Sequence, residues 1–218
     1  VKNLEISSDL DKIKSSIANI PALISAEDKI LGIHGIISFL EKKFFDNEIY
    51  KIDPEKITIN KHLIEWSLTT LRATSIYLTF IDSRGHKNLK SVYQNRKIFN
   101  EIGPRVMDHE LDCAREVFKE MTKAYPISSL RFDDAIKQVD DQFKYIENIL
   151  GSNLFIHGND IKAVDIYIYS FFSCTLYLGE TLPSTFKKNH KKVISWMKRV
   201  AEKTSSNKNV PPLFLDFS

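Results

Sequence analysis

In this 218-residue chain, several side chains of the types that bind metals lie close together in one acidic stretch of the sequence. It reads Asp108-His109-Glu110, and Asp112 follows two residues later. Carboxylate and imidazole groups bind zinc when three or four of them converge on the ion. On a helix, Asp108 and Asp112 share one face while His109 points elsewhere. The spacing therefore favours a solvated helix surface over a metal site.

The remaining reactive side chains show no catalytic pattern. The six histidines lack paired ligand spacing, and His157 beside Gly158 is predicted to be a loop residue rather than a base. Cys113 and Cys174 both fall on predicted helices, where a small apolar packing role is expected. The sequence contains no Ser-His-Asp arrangement, phosphate-binding loop or dinucleotide fingerprint. We therefore expect no catalytic residue, metal or cofactor, and a binding protein rather than an enzyme.

The composition is typical of a soluble, mainly helical protein. Apolar residues make up 43% of the chain and charged residues 27%, with only seven Gly and seven Pro. The net charge of +3 is too small to imply nucleic-acid binding by itself. Two cysteines provide no disulfide framework and fit a reducing compartment. Neither a signal peptide nor a membrane span is predicted.

The helices that must position any site are organised around an apolar run from Val164 to Leu178. A helix that is apolar on all sides lies inside a helical domain or in a membrane. This run is about fifteen residues long, short of the roughly twenty that cross a bilayer, and Asp165 lies at its start. We therefore predict a buried core helix that is surrounded by other helices.

Gly and Pro breaks delimit the neighbouring helices. The predicted helices are residues 54–82, 87–100, 106–123, 132–150 and 186–203. Pro54 suits a first helical turn, and an apolar seam runs from Ile64 to Leu78. Residues 132–150 have the clearest seam; Ser129 or Asp133 is the predicted N-cap and Gly151 the C-terminal stop.

The first 46 residues predict a small unit that contains strands. Residues 1–6 alternate weakly, residues 20–24 and 29–31 form a predicted hairpin, and residues 32–45 have the apolar spacing of one helix face. This order resembles the second half of the thioredoxin-like domain of glutathione transferases, in which a Pro opens a strand. By that resemblance Pro21 is cis, and the first strand and helix of such a domain are absent here or lie before Val1.

The resemblance also implies where glutathione would bind. The family holds the γ-glutamyl end of glutathione with an acidic residue and a Ser at the start of the last helix of this domain. The matching positions here are Ile33 and His34. Ile33 has no charge with which to bind an ammonium group. We therefore expect a degenerate glutathione site near Ile20, Pro21, Ile33 and His34.

The helical part resembles the C-terminal domain of the same family. The matching features are the seam of residues 132–150, the loop 154–158 with Gly158, Asp165 on the buried helix, and Trp196 on the next helix. The resemblance implies that Asp165 satisfies backbone donors at the start of its helix, where its charge suits the helix dipole.

One position departs from the family pattern at this helix start. Lys162 stands where the family has a capping Ser or Thr. Asn159 or Asp160 is therefore the predicted N-cap.

These resemblances give a fold class of α+β, mostly α. A partial thioredoxin-like domain is predicted at residues 1–46 and a helical glutathione-transferase C-terminal-like domain at 54–204. The tail, residues 205–218, is too apolar for a free coil, so it is predicted to dock on the body.

The segment between the predicted helices 54–82 and 132–150 indicates a particular group of proteins within this resemblance. Tyr77 to Ser83, followed by a helix that contains Tyr93, resembles the layout of metaxins and the related failed-axon proteins. Metaxins lack transferase chemistry and help to assemble β-barrel proteins at the mitochondrial outer membrane. The resemblance implies a cytosol-facing, non-catalytic adaptor there, with a membrane-protein assembly complex as its partner.

The last helix has a basic face that suits a partner or a membrane. The candidate residues are Lys187, Lys188, Lys191, Lys192, Lys198 and Arg199. Such a face binds anionic lipid headgroups, or tRNA or an acidic protein, or is merely solvated and balanced by the acidic residues of 133–141. Nucleic acid is the less favoured partner, although the sequence does not exclude it.

Two alternative functions stay open. One is a scaffold module of an aminoacyl-tRNA synthetase or elongation-factor complex, which would bind its partner through helix faces. The other is a glutathione transferase whose catalytic residue precedes Val1, which would have a glutathione-sized pocket near Pro21.

Overall fold

The computed structural model describes residues 22–24, 29–44, 46–94, 109, 111–116, 118–119, 131–177, 182 and 185–204. The chain divides into two compact units, Val1–Lys51 and Ile52–Ser218. The predictions for residues 1–6, for Ile20 and Pro21, and for the tail at 205–218 fall outside the described residues.

The described part of the first unit is a hairpin followed by a helix. Strand β1 (Ala22–Ile24) pairs antiparallel with β2 (Lys29–Leu31), and helix α1 (Ile33–Lys43) follows directly. Gly32 has φ 75°, which favours glycine at this sharp strand-to-helix turn. The predicted hairpin and helix are therefore confirmed, but two strands and one helix do not establish a thioredoxin-like domain.

The second unit opens with a helical segment that changes pitch along its length. It consists of a 3₁₀ turn (Pro54–Lys56), α2 (Ile57–Trp66), a π turn (Ser67–Leu71), α3 (Arg72–Ile76) and a second π turn (Tyr77–Ile81). Pro54 occupies the first turn, and the segment ends where Asp82 becomes extended, both as predicted. The predicted seam residues Leu68, Leu71, Ser75 and Leu78 are buried. Ile64 is half-buried and packs against the core, where its neighbour Leu63 is fully buried.

Helix α4 (Ser83–Gln94) starts four residues before the predicted position. The reason is Asp82, whose carboxylate Oδ1 accepts a hydrogen bond from the amide of Arg84 at 2.9 Å and so caps the helix. Residues 109, 111–116 and 118–119 are also helical. Leu89 of α4 and Leu111 form a small apolar cluster with Phe80.

Four further helices complete the described part of this unit: α5 (Phe132–Leu150), α6 (Ala163–Tyr177), α7 (Phe186–Asn189) and α8 (Lys191–Thr204). They share one apolar core, in which the rings of Phe143 on α5 and Phe172 on α6 lie 4.1 Å apart. None of the helices that the structure describes combines the length and the hydropathy needed to cross a bilayer.

The two ends of α5 test two predictions. Gly151 has φ 49° just after the last turn, which confirms it as the C-terminal stop. At the other end the N-cap is Arg131, without a side-chain hydrogen bond, and Asp133 lies inside the first turn. The prediction of an Asp133 cap is therefore wrong. Asp133 acts through its charge near the positive end of the helix dipole instead.

Helix α6 is buried, although not on every side. Val164, Ile168 and Phe172 are at most 1% exposed, since α5 and α8 pack against them. Cys174 is half-buried and Ser170 is exposed. The prediction of a helix enclosed all round is therefore wrong for this face.

Candidate functional site

Asp165 is the centre of a buried junction between three parts of the second unit. Its Oδ1 accepts hydrogen bonds from the backbone amide of Ile156 at 2.9 Å and from the indole Nε1 of Trp196 at 2.8 Å. Its Oδ2 accepts one from the backbone amide of Lys162 at 2.9 Å. The sequence resemblance singled out Asp165 and Trp196 separately, and the structure brings them together.

The electrostatics of this carboxylate are set mainly by burial. Asp165 is 0% exposed, and burial raises its pKa above the usual value because the charged form loses its hydration. The hydrogen bonds from Ile156, Trp196 and Lys162 oppose this shift. A carboxylate with no solvent access and three N–H donors stabilises the fold and has no route to a substrate.

The same contacts correct the predicted N-cap of α6. The helix begins at Ala163, so Asn159 and Asp160 lie ahead of its cap position. Asp165 reaches back from the first turn to the amide of Lys162, which is the carboxylate half of a capping box. The cap therefore comes from within the helix.

The loop that leads into this junction is held by helices on both sides. Phe155 and Gly158 exchange backbone hydrogen bonds of 2.8 and 3.2 Å, and the φ of 136° at Gly158 favours glycine. Arg199 of α8 donates from Nε and Nη2 to the carbonyl oxygen of Leu154 at 3.1 and 2.9 Å. The guanidinium group of Arg199 thus binds the loop and is not free to bind a partner protein.

His157 connects this loop to the start of α2. Its Nε2 lies 2.9 Å from Oδ1 of Asn60, and Lys56 donates from Nζ to its carbonyl oxygen at 2.9 Å. Burial lowers the pKa of His157, and the nearby Lys56 charge adds to that effect. These contacts confirm His157 as a loop residue.

The predicted basic surface lies on α7 and α8. Lys188 and Lys191 are exposed, while Val193, Trp196 and other apolar residues bury the opposite face of α8. Lys192 donates from Nζ to the carbonyl oxygen of Glu147 at 3.1 Å. Lys192 and Arg199 therefore both already contact backbone oxygens.

One of the acidic residues expected to balance this surface, Asp140, has other partners. Asp140 accepts a hydrogen bond from Lys144 of its own helix, which is the main reason that its pKa is lowered. It also lies 2.8 Å from Nε2 of the buried His190. The structure therefore does not neutralise the basic face through Asp140.

A second carboxylate junction lies between α4 and the helical residues 111–116. Oδ1 of Asp112 is 2.8 Å from Nε2 of His86, and Lys90 donates to Asp112 at 2.9 Å. The hydrogen bond from Lys90, followed by that from His86, lowers the pKa of Asp112. Nothing in the sequence pairs His86 with Asp112, because they are 26 positions apart on different helices.

The acidic stretch that contains Asp112 is a helix surface where the structure describes it. His109 is exposed, and its Nε2 lies 3.7 Å from the sulfur of Cys113, one turn further on. Asp108 and Glu110 lie outside the described residues. Within those that are described, no three His, Cys, Asp or Glu side chains are grouped to hold a metal ion.

The positions that the resemblance assigns to glutathione lie at the start of α1. Ile33 and His34 are its first two residues, directly after Gly32, and no acidic residue occurs in the first turn. Gly32 gives no side-chain cap either. The backbone thus has the helix N-terminus that the resemblance requires, without the acidic residue that the family uses there.

Sequence reasoning missed a groove between the first helical segment and α5. One wall carries His62, Trp66 and Thr70, and the other carries Gln138, Asp141, Gln142 and Tyr145. Its volume is about 430 Å³. The signal was available as spacings of three and four residues beside each apolar seam, but only the packing of two distant helices shows that the two stripes face each other.

The fold of this chain is similar to that of a solved glutathione transferase. A crystal structure of a glutathione S-transferase from Rhodospirillum rubrum F11 matches this chain with a TM-score of 0.55 and 13% sequence identity. The match covers 98% of this chain and 78% of the other. No protein-family model matches the chain, and no curated protein matches it either. The chain therefore has a mostly helical, glutathione-transferase-like fold.

Proposed function

We propose that this chain is a non-catalytic adaptor on a glutathione-transferase-like fold, similar to metaxins. In this proposal it serves protein import and β-barrel assembly on the cytosolic side of the mitochondrial outer membrane. The start of α1 carries the non-catalytic part of the proposal. A hydrocarbon, Ile33, stands there in place of a carboxylate, and the first turn contains no acidic residue.

The chemistry of glutathione makes this replacement decisive. Its γ-glutamyl end carries an ammonium group, which binds tightly only where a carboxylate or several acceptors replace its hydration. Ile33 offers no acceptor, and His34 replaces the small hydroxyl of the family. The helix N-terminus of α1 supplies only amide donors, which repel an ammonium group rather than bind it.

Isothermal titration with reduced glutathione tests this part. We expect the wild-type chain to bind glutathione more weakly than about 1 mM, since the main ammonium contact is absent. The double variant Ile33→Glu/His34→Ser restores the family pair and should bind more tightly. Micromolar binding by the wild type would contradict the proposal and support a true transferase.

The membrane part of the proposal is supported by the exposed Lys188 and Lys191 on α7 and α8. Each lysine near an anionic bilayer adds roughly 1 kcal/mol of binding free energy. Vesicles with and without phosphatidylserine provide the measurement. Lys188→Glu/Lys191→Glu should abolish sedimentation with anionic vesicles, whereas Lys137→Glu on the exposed face of α5 is the control. Equal sedimentation with both vesicle types would contradict this role.

Affinity purification with mass spectrometry tests the adaptor role itself. The tagged full chain should recover components of a β-barrel assembly machinery. Recovery of an aminoacyl-tRNA synthetase or elongation factor in their place would support the scaffold alternative and overturn the metaxin-like assignment.

A further inference from the structure

The groove between the first helical segment and α5 has two aromatic side chains at one end. The rings of Trp66 and Tyr145 meet edge to face, with centroids 5.0 Å apart and planes at 71°. Both residues are half-buried, so part of each ring borders the groove. Aromatic faces carry negative electrostatic potential and attract organic cations.

A carboxylate lies on the same wall as Tyr145. Asp141 is exposed and makes no hydrogen bond or ion pair with any residue that the structure describes. The nearby ammonium group of Lys144 contacts Asp140 instead. Asp141 is therefore an acceptor that lines the groove without a direct partner in the described part of the chain, and its charge interacts with Lys144.

Polar side-chain contacts link the first helical segment to α5 beside the groove. Gln142 donates from Nε2 to the hydroxyl of Thr74 at 3.0 Å, and that hydroxyl lies 3.3 Å from Oε1 of Gln138. Thr74 and Gln142 are 2% and 7% exposed, so these contacts hold the two walls at a constant separation. The groove is thus formed before any ligand arrives.

The helix on the opposite wall has an unusual pitch at this point. Trp66 ends α2, and Thr70 belongs to the π turn Ser67–Leu71. Single π turns inside helices are rare and occur frequently at functional sites. The groove volume of about 430 Å³ is within the range of small-molecule sites.

From these features we infer that the groove binds a small organic cation, an alkylammonium or quaternary ammonium compound. The cationic head lies against Trp66 and Tyr145, and Asp141 supplies the opposite charge. Gln138 and Gln142 contact the polar part of the ligand. This site is independent of the start of α1, so its failure would leave the proposed adaptor function untouched.

Intrinsic fluorescence provides the test, because the chain has only two tryptophans and Trp196 is fully buried. The probes are choline and its neutral isostere 3,3-dimethylbutan-1-ol, titrated at constant ionic strength. We expect choline to change the Trp66 emission saturably and to bind about tenfold more tightly than the isostere. Trp66→Phe should remove the signal.

The charge contribution is tested with Asp141→Asn and with Asp133→Asn, an exposed carboxylate on the same helix but outside the groove. Asp141→Asn should weaken choline binding at least about fivefold, and Asp133→Asn should leave it unchanged. Circular dichroism verifies that both variants are folded. Equal binding of the two probes, an unchanged affinity in Asp141→Asn, or no saturable signal in the wild type would each overturn the proposal.

Discussion

Asp165 and Asp112 form two junctions with nearly the same hydrogen-bond lengths, 2.8–2.9 Å, in very different surroundings. Asp165 is 0% exposed and accepts from uncharged N–H groups. The side chain of Asp112 is 56% exposed and faces Lys90 and His86. Burial raises the pKa of the first carboxyl, whereas hydrogen bonds lower that of the second.

The comparison shows that the length of a hydrogen bond does not by itself tell how much the bond contributes to stability. Without Asp165, its donors would remain in the core without a partner, and each buried unsatisfied group costs about 1–3 kcal/mol. The carboxylate of Asp112 is solvated, so its contacts contribute less to stability, although its partner His86 is only 5% exposed. Four predictions test this contrast, from the largest expected effect to the smallest.

Asp165→Ala should reduce the free energy of unfolding by about 3–5 kcal/mol, because the buried N–H donors of Ile156 and Trp196 and the part-buried amide of Lys162 lose their acceptor. Urea denaturation followed by circular dichroism gives the value. The exposed neighbour Asp160→Ala is the matched control and should change stability by less than about 0.5 kcal/mol. A loss below about 1 kcal/mol in Asp165→Ala would show that the junction is dispensable.

Trp196→Phe removes one donor from the same junction and keeps a ring in the core. We expect a loss of about 2 kcal/mol, typical of one hydrogen bond to a charged group. The double variant with Asp165→Ala should lose less than the sum of the two single losses, since both remove the same contact. Additive losses would mean that Trp196 stabilises the core by packing alone.

The two junctions should respond to pH with opposite signs. The folded pKa of Asp165 is raised above the ordinary 3.8, so its favourable contribution is complete below that value and is lost as pH rises through the folded pKa. The folded pKa of Asp112 is lowered, so its contribution is present above 3.8 and is lost as pH falls through the folded pKa.

The test is the free energy of unfolding of the wild type, Asp165→Asn and Asp112→Asn, measured as a function of pH from 2.5 to about 7. The difference in free energy of unfolding between the wild type and Asp165→Asn should decrease as the pH rises. The difference in free energy of unfolding between the wild type and Asp112→Asn should decrease as the pH falls. If both differences changed with pH in the same direction, the two junctions would not have opposite pH responses.

Asp112→Asn should cost less than about 1 kcal/mol at neutral pH, as is usual for an exposed ion pair. High salt should reduce even this cost, because salt screens exposed charges. Lys119→Met, which removes the cation of another exposed pair in the same helical stretch, serves as a comparison. A loss above about 2 kcal/mol would show that His86 depends on Asp112 more than its exposure suggests.

The elements that sequence predicted well are those with strong local signals. The seam of residues 132–150 became α5, and Gly151 ended it in the conformation that glycine adopts most easily. Pro54 opened its helix for the same kind of local reason. These signals act over one or two turns, so no distant contact is needed to interpret them.

The misses share a different origin. The first helical segment contains two π turns, which periodicity did not predict. Arg131 rather than Asp133 stands at the N-cap of α5, and α6 is capped from within by Asp165. Each of these outcomes depends on how a helix packs against its neighbours, which periodicity does not specify.

By itself the sequence determined the helices of the second unit and the apolar content of α6, because each follows from side-chain chemistry and local spacing. Only the tertiary structure decided that Asp165 meets Trp196, that Asp112 meets His86, and that Trp66 and Asp141 line one groove. Those pairs lie on different helices, and their meeting depends on the packing of whole helices, which no local pattern encodes.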